Sequence, residues 1–200
     1  MTATVPDSLF HRPASWVEPL CLEEMYSAPG PVEVELGAGD GSFLLEYAKA
    51  NPARNFLGVE RLLGRIRKID RKGRRAGLAN LRVMRIEAVY FVQYLLPACS
   101  VDVVHIYFPD PWPKKRHHKN RLIQAPFVEL LARVLKPDGL VFLRTDNAEY
   151  FGQMHEVFGA AAGFAPRGTP GELKQFITDF ERGFNEQGIA TNYAAYQRVG

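Results

Sequence analysis

The stretch that decides the fold is VEVELGAGDGSFLLEYAKANP, which occupies residues 32–52. Its first five residues predict a short buried strand, and the glycines that follow predict a tight turn. Apolar side chains then recur at helical spacing until Pro52, which ends the helix. A strand, a glycine turn and a helix in this order indicate the start of an alternating α/β unit.

Strands and helices alternate along the rest of the chain as well. Further strands are predicted at residues 55–60, 81–86, 101–108 and 139–145, and helices at 61–76, 121–135 and 147–162. Residues 171–200 hold a further helix and a β-leaning end, and residues 1–30 form an irregular arm with one short helix near 16–26. This alternation predicts an α/β fold with a mostly parallel sheet, in which residues 31–200 form a single domain. Ligands of such sheets lie beyond the carboxyl ends of the strands, so the residues after each strand are the candidates for chemistry.

The composition is that of an ordinary globular domain. The chain has 200 residues, of which 46% are hydrophobic and 24% charged, which excludes wholesale disorder, a collagen and a small disulfide scaffold. Because no apolar run reaches the roughly 18 residues of a membrane helix and the N-terminus lacks a signal-peptide pattern, we expect a cytoplasmic protein. The two cysteines, Cys21 and Cys99, have no paired spacing and are expected to be reduced thiols in the core. The five histidines are scattered, so no metal site is indicated.

Positive charge is concentrated in two segments, although the net charge is only +3. Residues 61–75, RLLGRIRKIDRKGRR, hold eight Lys or Arg side chains and one acid, and residues 114–121, KKRHHKNR, hold five and no acid. Each segment alone is compatible with a solvated helix face or a loop. Two such segments in one nearly balanced chain favour a surface that faces a polyanion such as nucleic acid.

The glycine turn differs from a dinucleotide-binding fingerprint. Gly41, which follows Gly37 and Gly39, comes one residue too early for that fingerprint, and Glu35 precedes the first glycine by two residues. Asp40 would repel a phosphate at the helix N-terminus, so a cationic ligand without phosphate suits this turn better. S-adenosylmethionine, which carries a sulfonium and an ammonium group, is such a ligand. The alternative is a purely structural turn before a helix.

Acidic residues also follow the other predicted strands. Glu60 comes 23 residues after Gly37, where an acid can accept both ribose hydroxyls of an adenosine; the alternative is a surface acid that pairs with a neighbouring arginine. Glu87 follows the third strand, where an acid can lie beside the adenine or simply be exposed in a loop. Asp146 follows the fifth strand, where it can cap the next helix, face the same crevice, or do both.

The most informative loop is FPDPWPK at residues 108–114, directly after the fourth strand. Its three prolines stiffen the backbone and fix the direction of Asp110. Trp112 offers a flat face on which a base can stack, and the basic segment that begins at Lys114 can hold phosphates. A rigid carboxylate, a stacking ring and a phosphate clamp so close together favour a functional loop over a structural proline-rich turn.

The motif FPDPWPKKRH at residues 108–117, with ELGAGDG at 35–41, TD at 145–146 and TDFE at 178–181, is similar to the motifs of the tRNA (guanine-N7-)-methyltransferase family. The resemblance covers about residues 30–200. It implies the Rossmann-like fold of class I methyltransferases, with a mostly parallel seven-stranded sheet and helices on both faces. It also implies methyl transfer from S-adenosylmethionine to N7 of the guanine at position 46, in the variable loop of tRNA, with S-adenosylhomocysteine as the second product. No metal and no obligatory protein partner are expected, and the protein is expected to be a monomer or homodimer of the bacterial single-subunit type.

The resemblance assigns roles residue by residue. Those implied to contact the cofactor are Glu35, Gly37, Gly39, Gly41, Glu60, Glu87 and Asp110, the last of which is also the catalytic carboxylate. Those implied to contact the substrate are Lys114, Asp146, Thr178, Asp179, Phe180 and Glu181. Those implied to contact the tRNA backbone are Arg116, His117, His118, Lys119, Asn120 and Arg121. The sequence departs from the family pattern at Asn120, where a basic residue is usual, and at Glu87, where Asp or Asn is commoner.

Three other functions are compatible with parts of the sequence. The loop at residues 108–114 is loosely similar to the loop of amino methyltransferases, which act on exocyclic amines. A non-catalytic RNA-binding module would keep the fold without the cofactor, but the intact acids and glycines count against it. A dehydrogenase is disfavoured by the glycine spacing and by Asp40.

Overall fold

Seven strands carry the fold in the computed structural model, which describes residues 5–200. They are β1 (Val32–Leu36), β2 (Asn55–Glu60), β3 (Leu81–Arg85), β4 (Val101–Tyr107), β5 (Leu135–Thr145), β6 (Phe164–Arg167) and β7 (Asn192–Arg198). They form one sheet in the order β3-β2-β1-β4-β5-β7-β6. The first five strands are parallel, and β7 runs antiparallel to both of its neighbours. The predicted Rossmann-like, mostly parallel sheet is therefore confirmed.

Seven α-helices connect these strands within residues 5–200. They are α1 (Ser42–Ala50), α2 (Leu63–Arg75), α3 (Ala88–Tyr90), α4 (Ala125–Val134), α5 (Ala148–Ala160), α6 (Gly171–Lys174) and α7 (Asp179–Glu186). Two 3₁₀ helices, Leu22–Met25 and Lys115–Asn120, and a π-helical turn, Phe91–Leu95, complete the set. Of the helices in this part of the chain, none has the length and apolar character that a membrane crossing requires.

Several elements differ from the sequence prediction. The helix predicted near residues 16–26 is only the 3₁₀ turn Leu22–Met25, and β5 begins at Leu135 rather than at residue 139. The helix predicted at residues 121–135 begins only at Ala125, because Lys115–Asn120 forms its own turn and Pro126 suits the first turn of a helix. The sequence does not predict β6 as a separate strand. Its four residues include Pro166, which interior strands exclude and edge strands tolerate.

Apolar side chains pack on both faces of the sheet. The largest cluster lies under α4, α5 and the π-helical turn, a second lies under α1 and α2, and a third contains Phe43 and Tyr107. Helix α2 buries Ile66 and Ile69, as its apolar periodicity predicts. Leu62 directly precedes this helix and is 47% exposed.

The described part of the N-terminal arm, residues 5–30, packs against the sheet. Leu9 is fully buried, and Phe10 forms a parallel bridge with Val83 on the edge strand β3. Residues 1–4 of the predicted arm lie outside the described residues. Both cysteines are exposed, so the prediction of core thiols is wrong; Cys21 lies in the packed arm and Cys99 in the turn before β4.

Candidate active site

The glycine turn after β1 is held against the end of β2. The backbone N–H groups of Gly37 and Ala38 both donate to the carbonyl of Val59, each at 2.9 Å. Gly41 precedes α1 with a φ of 81°, and a Cβ at this position would lie 2.8 Å from a side-chain carbon of Ile69. Glycine is therefore required there both by the backbone and by the close approach of α2.

Glu35 ends in a buried carboxylate with an orphaned oxygen. The residue is 3% exposed, and its Oε2 atom has no hydrogen-bond partner among the described residues. Burial raises the pKa of Glu35 to about 8, and the carboxylates of Asp40 and Glu60 add to this shift while Arg144 opposes it. A buried acid without a partner is costly unless a donor or cation reaches it. The site therefore fits a cationic ligand, as the sequence predicts for S-adenosylmethionine.

Glu60 is buried beside the same turn. Its carboxylate accepts from the backbone N–H of Gly39 at 3.1 Å and from that of Leu62 at 2.8 Å. Arg65 approaches it at 3.5 Å, but Glu60 is only 5% exposed and is not a surface acid. These bonds hold the carboxylate at the carboxyl end of β2, where a ribose can reach its remaining lone pairs.

Glu87 caps the short helix that follows β3. Its exposed carboxylate accepts from the N–H groups of Val89 at 2.9 Å and Tyr90 at 2.8 Å. The side chain is thereby fixed at the carboxyl edge of the sheet, next to the strand that carries Glu60. Its contact with an adenine stays a prediction.

Asp40 is paired with basic side chains of α2. Its Oδ2 atom lies 2.8 Å from the Lys68 amine and 3.7 Å from that of Lys72. Burial acts to raise the pKa of Asp40, but the hydrogen bond from Lys68 and the charges of Lys68 and Lys72 hold that pKa well below its usual range. The carboxylate is therefore ionised and compensated, and it repels phosphate less than the sequence argument assumes.

The loop at residues 108–114 has a constrained backbone. Asp110 accepts from the N–H of Trp112 at 3.0 Å, which closes a turn around the exposed carboxylate. Phe108 and Trp112 both have positive φ angles, of 50° and 44°, which bulky residues rarely adopt. Such strain persists only where the surroundings impose it, and it concentrates at functional sites.

Arg121 holds this loop in place by a hydrogen bond to its backbone. It is 3% exposed, its Nε donates to the carbonyl of Pro111 at 2.7 Å, and one of its amino groups donates to Gln153 at 2.7 Å. Its guanidinium also lies 4.9 Å from the centre of the Tyr150 ring. The Arg121 guanidinium therefore makes its contacts within the protein. It does not present its charge to a phosphate in this arrangement.

The rest of the basic segment is turned outward. The side chains of Lys114, Lys115, Arg116, Lys119 and Asn120 are exposed, and those of His117 and His118 are partly so. The ring of His117 lies edge-on to that of Trp112, with centroids 5.8 Å apart. This arrangement leaves a cationic ridge directly beside the Asp110 loop.

The predicted substrate segment 178–181 meets the glycine turn through α7. The N–H of Asp179 donates to the hydroxyl of Ser42 at 2.9 Å, at the start of α1. Asp179 and Phe180 are exposed, whereas Thr178 is 7% exposed and caps the helix by accepting from Glu181 N–H at 3.0 Å. Glu181 is fully buried, so within this segment only Asp179 and Phe180 present side chains to a ligand.

Arg144, which none of the sequence motifs includes, is buried and supports the substrate segment from within the protein. It is 1% exposed at the end of β5 and donates 2.7 Å hydrogen bonds to the carbonyls of Leu173 and Phe176. It also pairs with Glu181 at 2.9 Å. The available signal was an arginine inside the otherwise apolar strand GLVFLRT.

Asp146 lies just beyond, partly exposed at the carboxyl end of β5. The residue that caps α5 is Asn147, whose side chain accepts from Tyr150 N–H at 2.8 Å, so the capping alternative for Asp146 is wrong. Within the described chain, no three His, Cys, Asp or Glu side chains gather as a metal site would require.

Solved structures share this fold. It is similar to the 16S rRNA methyltransferase KamB, with a TM-score of 0.67 at 17% identity over 89% of this chain and 92% of that one. It is also similar to TrmN from Thermus thermophilus, with a TM-score of 0.61 at 17% identity over 86% of this chain and 45% of that one. The sheet, with five parallel strands and an antiparallel β7, therefore has the Rossmann-like fold of class I methyltransferases.

Sequence relatives identify the family to which this chain belongs. A profile of the family described as putative methyltransferase matches residues 29–191. The tRNA (guanine-N(7)-)-methyltransferase of Nitrosococcus oceani is 42% identical over 171 residues, which is 85% of this chain and 72% of that protein. The protein of the same name from Cronobacter sakazakii is 40% identical over 147 residues, which is 74% of this chain and 62% of that protein. The chain belongs to the tRNA (guanine-N7-)-methyltransferase family.

Proposed function

We propose that this protein transfers a methyl group from S-adenosylmethionine to N7 of the guanine at position 46 in the variable loop of tRNA. S-adenosylhomocysteine is the second product, and the reaction takes place in the cytoplasm. The domain formed by residues 31–200 carries it without an obligatory protein partner. The observation that carries this proposal is the strained 108–114 loop, which holds an exposed carboxylate beside a cationic ridge.

The cofactor is held at the carboxyl ends of β1 to β4. The residues that hold it are Glu35, Gly37, Gly39, Gly41, Glu60, Glu87 and Asp110. The orphaned oxygen of Glu35 supports this assignment, because a cationic group satisfies it without a further protein partner. Bound S-adenosylmethionine supplies an electrophilic methyl group on a positively charged sulfur.

Asp110 accepts hydrogen bonds from the guanine and does not serve as a general base. N7 of guanine is an unprotonated lone pair at neutral pH, so the reaction needs no proton abstraction, and positioning supplies most of the rate. N1–H and the 2-amino group lie on the opposite edge of the base, where a carboxylate can accept from both. Asp110, with Asp146 as the neighbouring acid, thereby selects guanine and offsets the positive charge that methylation leaves on the ring.

The exposed cations next to this loop hold the RNA backbone. Lys114, Arg116 and Lys119 are exposed and contact phosphates, and Phe180 and Asp179 extend the substrate site from α7. Thr178 and Glu181 support that segment from within the protein. Arg121 acts indirectly, by holding the carbonyl of Pro111.

The test is methyl transfer from labelled S-adenosylmethionine to unmodified tRNA transcripts. One transcript carries guanine at the variable-loop position and its partner carries adenine there. We expect label on the first only, with aniline-induced cleavage at that guanine after mild reduction. Label without cleavage would instead indicate methylation of an exocyclic amine. Tight cofactor binding without label on either transcript would contradict the proposed substrate.

A further inference from the structure

A cavity lies beyond the edge strand β3, where the N-terminal arm passes its carboxyl end. The cavity has a volume of about 370 Å³ and is lined by Phe10, Arg12, Trp16, Leu63 and Arg85. None of the acids implied to hold the cofactor lines it. Its volume falls in the range of sites that bind small organic groups.

Two arginines and a tryptophan face this cavity without an acid among its lining residues. Trp16 is 47% exposed, and its carbonyl accepts from the Tyr90 hydroxyl at 2.8 Å, which anchors the arm at this point. Arg85 Nε donates to the carbonyl of Arg61 at 3.2 Å, and the guanidinium of Arg12 lies 5.1 Å from the centre of the Phe10 ring. The aromatic wall and both cations are thus held by the fold.

We propose that this cavity binds one nucleotide of the RNA substrate, away from the guanine that is methylated. The base stacks on Trp16, and Arg12 and Arg85 hold the adjoining phosphates. This inference rests on the proposed function, because it assumes that an RNA lies across the carboxyl edge of the sheet.

The wall of the cavity is mostly apolar, and the exposed guanidinium groups of Arg12 and Arg85 are what favours a nucleotide over an uncharged ligand. An exposed aromatic ring with neighbouring guanidinium groups is the arrangement that binds single-stranded nucleic acid, because stacking and phosphate contacts act together. Arg67 follows Leu63 by one helical turn and is exposed, so the positive surface continues along α2. On this proposal, the basic helix α2 binds RNA at a place separate from the loop at residues 108–114.

The position of the cavity allows one RNA to reach both sites. Arg85 is the last residue of β3, and Glu87 follows it by two residues at the carboxyl edge of the sheet. Asp110 follows β4 at the same edge, with β2 and β1 between the two strands. A nucleotide near the target in the folded tRNA can therefore enter the cavity while the target guanine reaches Asp110.

Tryptophan fluorescence tests this directly, because the chain has only two tryptophans. The variant Trp112→Phe reports on Trp16 alone, and Trp16→Phe reports on Trp112 alone. We expect a tRNA transcript to quench Trp16 emission, and S-adenosylmethionine without RNA to leave it unchanged. Quenching by the cofactor alone would assign the cavity to the cofactor and overturn the inference.

The same two variants separate failure of this inference from failure of the proposed function. If RNA changes the emission of Trp112 but not that of Trp16, the inference is overturned and the proposed function stands. If RNA changes neither and the wild-type protein transfers no methyl group to tRNA, both are overturned.

Kinetics provide a second readout. Trp16→Leu is expected to raise the KM for the tRNA transcript about fivefold or more, while Trp16→Phe keeps it near the wild-type value because stacking is retained. The kcat and the affinity for S-adenosylmethionine, which also report on folding, stay within about twofold. A wild-type KM in Trp16→Leu would overturn the inference.

The two arginines have a matched control in Lys49, which does not line the cavity. Arg12→Gln and Arg85→Gln are each expected to reduce the salt dependence of tRNA binding by about one unit of log–log slope. Lys49→Gln removes the same charge at the exposed C-terminal end of α1 and should leave the slope unchanged. Equal slopes for all three variants and the wild-type protein would contradict a phosphate role.

Discussion

Arg144 and Glu181 form an ion pair that is buried between β5 and α7. Their charged atoms lie 2.9 Å apart, and the two side chains are 1% and 0% exposed. Glu181 also accepts from the hydroxyl of Tyr193, and Arg144 lies 4.1 Å from the centre of the Tyr107 ring. The acid of the predicted substrate motif is thus an anchor of α7, which holds Asp179 and Phe180 beside the glycine turn.

Breaking this pair should destabilise the fold strongly. Glu181→Ala leaves the Arg144 guanidinium buried without its counter-charge, and we expect a loss of about 3–5 kcal/mol in the free energy of unfolding, measured in urea. The double variant Arg144→Met/Glu181→Leu should lose less, because neither charge remains. Arg182→Ala is the control, since its 3.9 Å pair with Asp179 is exposed and contributes little. A loss as small as that of the control would contradict a structural role for the pair.

Glu35 should make stability depend on pH. The folded-state pKa of about 8 lies above the ordinary value of 4.5, so between these values the unfolded chain releases this proton first. The free energy of unfolding should therefore fall as pH rises from about 4.5 to 8, by at most about 1.4 kcal/mol per pH unit. Glu35→Gln should make this decline shallower in urea titrations at several pH values. Glu46→Gln, at an exposed position of α1, should leave this decline unchanged. An unchanged decline in Glu35→Gln would contradict the raised pKa of Glu35.

Asp110 should be needed for turnover and not for folding. Because its carboxylate is exposed, Asp110→Ala should keep the wild-type melting temperature while methyl transfer falls by about a hundredfold or more. Asp110→Asn keeps an oxygen that can accept from Trp112 N–H, and so separates loss of charge from loss of the turn. Near-normal turnover in Asp110→Ala would show that another group selects the guanine.

Lys114 should contribute to RNA binding through its charge alone. Lys114→Ala is expected to weaken tRNA binding and to reduce the slope of log K against log salt concentration by about one. The exposed Lys49, in the last turn of α1, provides the control. The same slope in Lys114→Ala and Lys49→Ala would argue against a phosphate contact at Lys114.

Arg121 should affect the rate through the loop that it supports. Arg121→Met removes the donors to Pro111 and Gln153, and the displaced loop should lower kcat about tenfold or more with little change in cofactor affinity. Arg116→Met removes the same charge at an exposed position and should instead raise the KM for tRNA. If both variants change only that KM, Arg121 is a further phosphate contact and not a positioning residue.

Most of the fold was predictable from local patterns. The strand VEVEL is bounded as predicted because Pro31 precedes it and the glycine turn follows it, and NFLGVE begins as predicted shortly after Pro52. The short β6 was not, because its pairing with β7 is made by residues more than 25 positions away. Edge strands of this kind carry little periodic signal.

The sequence by itself determined which chemical groups follow the strands, because turn residues and motif spacing are local properties of the chain. It placed Glu35, Glu60, Glu87 and Asp110 at the carboxyl ends of β1 to β4 and identified both basic segments. Only the tertiary structure decided how each group is used. Whether a side chain is buried, paired or free depends on neighbours far along the chain, as with Arg144 and Glu181. For the same reason, the cavity beside Trp16 exists only where the arm, α2 and β3 meet.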